Sequence, residues 1–215
     1  MTPFWPAAAK ARKAAGEAVR GQIARAREDR ARNGRSYAFS SLAPVKEGRE
    51  RALARTLRGL SESPLARLPY VHFARFVVID QLKTDWCGVP RPLPRLSAQY
   101  LLFTADVTAP EGMGYELPGA LVEELRLYIP DEVTAVWGEC IDFPGTEDVA
   151  GLHRFFERSQ LDTVLYYVGA RDATVPEVKD ALRVRDEFSA FATEFQATGD
   201  AALRAEYARR VTQWI

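Results

Sequence analysis

The sequence predicts an α+β fold, and three observations carry that prediction. Runs rich in Val, Ile, Phe and Tyr recur along the middle of the chain, at Ser36–Ala43, Val71–Asp80, Gln99–Val107 and Thr163–Ala170. Such residues favour strands, because their side chains pack well on a pleated surface. Between these runs lie stretches whose apolar residues repeat at helical spacing. The resulting order is β-α-β, a long loop, then β-α-α-β-α. That is the split βαβ, ferredoxin-like βαββαβ order: an antiparallel sheet with helices on one face, here with extra N- and C-terminal helices. The second sheet face then needs a cover, either from a second copy in a homodimer or from the terminal helices.

Residues 7–33 are rich in Ala and Arg and free of proline, which favours a helix closed by Asn33-Gly34. Val19 and Ile23 are its only large aliphatics, so its apolar face is thin. Pro44–Gly48 reads as a turn. Arg49–Leu60 is amphipathic, with Leu53, Leu57 and Leu60 on one side. Ser61–Pro69 is a loop. The connection 81–98 carries Gly88, Pro90, Pro92 and Pro94 and cannot be regular throughout. Helices are predicted over Ala120–Tyr128, Glu132–Trp137 and Asp148–Ser159, with a turn-rich stretch at Gly138–Gly145 between the last two. The final long helix starts at Thr174, whose hydroxyl and Glu177 three residues on form a capping box, with Pro176 in the first turn. Leu203, Tyr207, Val211 and Trp214 mark a last helix over 200–215. The predicted organisation is a basic helical arm (1–35), a ferredoxin-like domain (36–195) and a C-terminal helix (196–215).

Composition narrows the function classes. With 215 residues, 47% of them hydrophobic and 11% aromatic, the chain can bury a substantial core. Its formal net charge is zero, which argues against nucleic acid as a partner of the whole chain. The neutrality hides an asymmetry: residues 1–35 hold nine basic and three acidic side chains, a net of +6, and the rest carries −6. The arm is therefore a candidate docking segment for a partner protein or a membrane surface, with Phe4 and Trp5 ahead of its charges. Two cysteines, Cys87 and Cys140, are too few for a disulfide scaffold and read as reduced, inert thiols of a cytoplasmic protein. No run reaches the length of a membrane helix, and the N-terminus lacks the apolar core of a signal peptide.

The strand Val71–Asp80 carries the most chemistry. It holds His72, one of two histidines, and places Arg75 inside an apolar run. A charge in a buried strand needs a partner, and Asp106 or Asp142 are the candidates. Strict alternation puts His72 with Ala74, Phe76 and Val78 on one face, and Arg75 with Phe73, Val77 and Ile79 on the other. A single site using both then requires a bulge. His72, Arg75 and Asp106 are the candidate catalytic residues. Asp80, Asp106 and Asp142 sit at strand ends or turns, where two converging carboxylates share a proton or hold a cation and isolated ones cap turns. His153, beside Phe155 and Phe156, is a candidate cofactor residue, since an imidazole can hold haem iron. No spacing motif for zinc, nucleotide or a serine nucleophile is present.

Pro44–Glu50, Leu65–Asp80 and Tyr100–Asp106, followed by the turn at Asp142-Phe143-Pro144 and the run Leu161–Ala173, resemble a group of bacterial ferredoxin-like domains. These are peroxidase-related and lie near the dye-decolorising peroxidase and dimeric α+β barrel superfamily. The resemblance spans roughly residues 37–190, and the Gly-x-x-Asp-Gly motif of true haem peroxidases is absent. It implies an oxidoreductase-like α+β barrel protein, dimeric, binding haem or a small hydrophobic molecule in a cavity over the sheet. The competing expectation is a non-catalytic binding or adaptor protein that docks through its basic arm.

Overall fold

The computed structural model describes residues 30–60, 62–80, 96–108, 117–169, 172–196 and 198–214. Most of the predicted basic arm and the proline-rich connection, with Cys87, lie outside these residues. The chain divides into two compact units, Met1–Asp172 and Ala173–Ile215. The long helix after Thr174 therefore belongs with the C-terminal helix and not with the sheet domain.

The first unit is built on a four-stranded antiparallel sheet in the order β1-β2-β4-β3. Its strands are β1 (Arg32–Asn33), β2 (Ser36–Pro44), β3 (Val71–Ile79) and β4 (Tyr100–Thr108). β2 and β3 both run antiparallel to β4, so they are parallel to each other, with α1 (Glu50–Arg58) connecting them and β4 inserted between. The α+β class, the antiparallel sheet and three of the four predicted strands are thus present. The fourth is not: residues 161–169 form no strand ladder. Their only sheet contacts among the described residues that involve backbone are the Ser41–Gln160 bridge and the bond from Leu161 N–H to the Ser40 carbonyl. The missing place on the sheet edge is held at Ser36 and Tyr37 by β1. Asn33-Gly34 does not close a helix as predicted. Asn33 ends β1 opposite Ser36, and Gly34-Arg35 form the two-residue hairpin turn into β2, with Gly34 at φ 62°, a value glycine reaches without steric cost.

Period-two alternation decides which sheet face is covered. Tyr37, Phe39, Leu101, Phe103 and Val107 are buried on one face, with Phe76 and Val78 packed beside them. Against this face lie α1, α2 (Leu117–Tyr128), α3 (Pro130–Trp137) and α4 (Val149–Ser159). The break between α2 and α3 falls at Ile129, and Pro130 occupies the first turn of α3, where its missing N–H costs nothing. Asp148 caps α4 by accepting from Gly151 N at 2.8 Å. Trp137 is the hub of the core, with ring centroids 5.3, 5.2 and 5.3 Å from Phe76, Phe103 and Phe156, all edge-on. Its indole Nε1 is buried without a hydrogen-bond partner among the described residues. The stretch 138–141 ties this helical layer to the end of β2 through Lys46 N to the Glu139 carbonyl, Ile141 N to the Pro44 carbonyl, and a bidentate Arg49–Glu139 pair.

The second unit is a helical hairpin of α5 (Val175–Glu194) and α6 (Asp200–Val211). The predicted capping box at Thr174 and Glu177 is formed in full. Phe191 is the buried centre, with Phe195, Trp214 and Tyr207 around it and the Arg210 guanidinium 5.5 Å above its ring. Arg209 and Arg210 hold the Glu206 carboxyl down to about 2.

Removing the hub tests the core. Trp137→Ala is expected to cost about 3–5 kcal/mol in urea unfolding, as large aromatic deletions do. Trp137→Phe is expected to cost clearly less, because it also removes a buried donor whose unmet hydrogen bond carries a penalty of about 1–3 kcal/mol.

Candidate functional site

The strand that drew attention in the sequence is irregular at its start. Val71 pairs with Val107 and Phe73 with Asp106, so His72 is an extra residue with no partner of its own in the ladder. This bulge changes the facing of the strand. Val71 joins the core, and so do Ala74, Phe76 and Val78. His72 instead sits on the other face with Phe73, Arg75 and Val77, and its Nε2 hydrogen-bonds the Thr108 hydroxyl. The predicted opposition of His72 and Arg75 is thereby overturned by one inserted residue.

Around His72 the structure gathers a polar cluster at one end of the sheet face turned away from the four helices. Asp106 lies opposite Phe73, and Ser36 opposite Thr108 on the neighbouring strand. The Ser36 and Thr108 side chains are buried. Tyr166, from the chain that follows α4, brings its hydroxyl in beside Asp106 and Ser36. That hydroxyl is shielded from solvent beside the Ser36 side chain. Burial pushes the Asp106 carboxyl up, partly offset by His72. Burial pulls the His72 imidazole down, partly offset by Asp106. Burial, with the Asp106 charge adding to it, pushes the Tyr166 phenol up to about 12. All three groups are shifted toward their neutral forms, so the cluster favours hydrogen-bonding neutral groups over binding an ion.

Arg75 is not the buried charge the sequence implied. It is exposed, opposite Thr104, and makes no ion pair among the described residues. Neither Asp106 nor Asp142 pairs with it. Because Arg75 is exposed, water solvates the guanidinium and no partner is required. Phe73 and Val77 flank it at 54% and 36% exposure, an apolar strip leading away from the polar cluster. Asp142 sits in an exposed turn at φ 60°, a conformation that Asp tolerates better than most residues. Asp80, also exposed, ends β3. The three aspartates therefore do not converge, and among the described residues no group of three His, Cys, Asp or Glu is arranged to hold a metal.

His153 lies in the helical layer, on the other side of the sheet. Its Nε2 bonds Glu123 Oε1 at 2.8 Å, and Glu123 Oε2 takes both Arg126 Nε and Nη2 at 3.0 and 2.7 Å. The hydrogen bonds from His153 and Arg126 hold the Glu123 carboxyl below its ordinary value. This triad fastens α4 to α2. Cys140 is fully buried, and burial pushes its thiol up to about 12, so it is inert as expected.

Tyr166, Ser36 and Thr108 were missed by sequence reasoning. Thr108 was findable, since it lies two residues beyond Asp106 and so shares its face. Tyr166 was hidden, because reading 163–170 as a regular strand assigns it to the ladder. Glu124 was also missed: one of its carboxyl oxygens is buried without a partner, and burial pushes the group up to about 7. Two adjacent glutamates on a helix carry no signal of that kind. Comparison with family models, curated proteins and solved structures finds no match for this chain. Among the described residues no helix is long and apolar enough to cross a membrane.

The Asp106 shift has a sign that can be checked. Between the ordinary aspartate value and its raised one, the folded state holds more protons than the unfolded state, so stability falls as pH rises through that window. Asp106→Asn removes this loss. The variant is expected to raise the urea midpoint at pH 7 and to leave it unchanged at pH 3, where the native carboxyl is already protonated.

Proposed function

We propose that the sheet face turned away from the four helices binds a small, largely hydrophobic molecule carrying a hydroxyl or carbonyl group. The apolar body lies along Phe73 and Val77, and the polar group enters the cluster of His72, Asp106, Thr108 and Tyr166. The observation that carries this reading is the convergence of the Tyr166 hydroxyl, shielded from water beside Ser36, with a desolvated Asp106 carboxyl at one end of this face. Polar groups held out of water at the end of an apolar strip are the few convergent contacts that orient a small ligand. The Tyr166 phenol, pushed up to about 12, serves as a donor to a carbonyl, while the Asp106 carboxylate and the His72 imidazole offer acceptors for a hydroxyl.

Haem fits the residues poorly. Both histidines of the chain commit Nε2 to a protein oxygen, His72 to Thr108 and His153 to Glu123, so neither presents that nitrogen to iron. The finer lineage we infer is ferredoxin-like, near the dimeric α+β barrels. Its support is the β2-α1-β3 unit with β4 inserted, and the passage of Gln160 and Leu161 along the outer edge of β2, where a fourth strand belongs. A second reading, favoured by the exposed Phe73 and Val77, makes this same face the contact between two copies of the chain.

2-Naphthol, with naphthalene as the control lacking the hydroxyl, distinguishes these readings by fluorescence titration. The expected result is that 2-naphthol binds about tenfold tighter, the effect of one good hydrogen bond of roughly 1.4 kcal/mol. Tyr166→Phe is expected to shrink that preference without loss of stability, and Phe73→Glu to abolish binding of both. Equal affinity for the two probes overturns the polar end of the site. A dimer in light scattering that Phe73→Glu converts to a monomer, with no probe binding before or after, establishes the second reading instead.

A further inference from the structure

The outer edge of β2 has two claimants, and their registers collide. Gln160 is bridged to Ser41, and Leu161 N–H bonds the Ser40 carbonyl, both in antiparallel sense. Continuing that register residue by residue places Thr163 opposite Ala38, Val164 opposite Tyr37 and Leu165 opposite Ser36. Tyr37 and Ser36 are the two positions that β1 occupies, through Arg32 and Asn33. The strand-favouring run Thr163-Val-Leu-Tyr-Tyr-Val168 is left outside the sheet, with Val164, Leu165 and Tyr167 at 80%, 88% and 83% exposure. These are the most exposed large apolar residues described. Their β-branched and aromatic composition suits a ladder, and a strand edge pairs with whatever suitable chain reaches it.

We infer that β1 is a displaceable occupant of the β2 edge, and that residues 163–168 exchange with it. β1 holds the edge because its turn at Gly34 is short, so closing it costs little chain entropy. Its lead-in residue Ala31 is also buried in the core. Residues 163–168 hold the better strand sequence and are already tethered in register at 160–161.

The exchange regulates the candidate site, and this consequence rests on the ligand reading above. In the present arrangement Tyr166 meets Asp106 and Ser36 on the face turned away from the four helices. In the exchanged register Leu165 faces that side opposite Ser36, and alternation turns Tyr166 to the opposite face. The polar cluster then loses its phenol. Since the basic N-terminal stretch leads directly into β1, pulling on that stretch disassembles the site.

Hydrogen exchange on the full-length chain tests this. In the native sequence, amides at 163–168 are expected to exchange with little protection. Gly34→Pro cannot adopt the positive φ of the turn. It is expected to release β1 and raise the protection of the Thr163 and Leu165 amides by about tenfold or more, the signature of a newly paired segment. Leu165→Pro removes the donor needed opposite Ser36 and is expected to cancel that gain in the double variant. As a second measurement, Ala38→Cys with Thr163→Cys, in a Cys87→Ser background with Gly34 retained, is expected to accumulate a disulfide under mild oxidation. If Gly34→Pro keeps β2, β3 and β4 protected while 163–168 stay unprotected, the inference is overturned. Should that variant fail to fold, absence of the disulfide overturns it. Exchange without any 2-naphthol binding keeps the edge competition and removes the ligand reading; binding without exchange does the reverse.

Discussion

A strand has two edges, and β2 is where that constraint bears hardest on this protein. Its inner edge is fully used by β4, from Ser36–Thr108 to Pro44–Tyr100. The outer edge is divided. β1 takes Ser36 and Tyr37, the chain leaving α4 takes Ser40 and Ser41, and just past the strand Val45 bridges Cys140. Three separate parts of the chain are located by these contacts: the entry into the sheet, the exit from the helical layer and the turn after α3. Backbone donors and acceptors in a sheet are too costly to leave unmet when buried, so a segment that loses the competition for an edge must remain in water. Residues 163–168 are that segment, and their exposure follows from the presence of β1.

The two faces of the sheet divide the work. One is closed by four helices around Trp137 and holds the stability. The other carries Phe73, Val77 and Arg75 in the open and the polar cluster at one end. Arg75 is exposed there, so water solvates it, and it makes no ion pair among the described residues. The cluster differs because Ser36 and Thr108 are buried and Tyr166 lies over them. There desolvation outweighs the attraction between His72 and Asp106, since both groups shift toward neutrality and not toward an ion pair.

Much of this architecture was legible in the sequence because it follows from periodicity and capping chemistry. Leu53 and Leu57 mark the buried side of α1, and the capping box at Thr174 fixes the start of α5. The alternation of Leu101, Phe103, Ala105 and Val107 identifies the covered face of β4. The same alternation places Asp106 on the opposite face of β4. What escaped depends on tertiary competition. Thr163–Val168 has the local character of a strand, and no local rule can say that Arg32 and Asn33 already hold its place. Gly34 satisfies the rules for a helix end and for a hairpin turn alike, and only the neighbouring edge decides between them.

The bulge at His72 completes the picture. Without the inserted residue, strict alternation from Val71 would carry either His72 or the Phe73–Val77 strip into the covered face. A histidine among Phe103 and Trp137 would be a desolvated polar group with no partner. With the insertion, Val71 and Phe76 both reach the core and His72 still reaches Thr108. The irregular start of β3 and the unladdered chain at Tyr166 are departures from sheet regularity, and both deliver a polar side chain to the same end of the same face. Each departure costs ladder hydrogen bonds, and each supplies a group that a regular strand would have pointed elsewhere. Coincidence of two such departures at one place is the pattern expected where local regularity has been given up for a site.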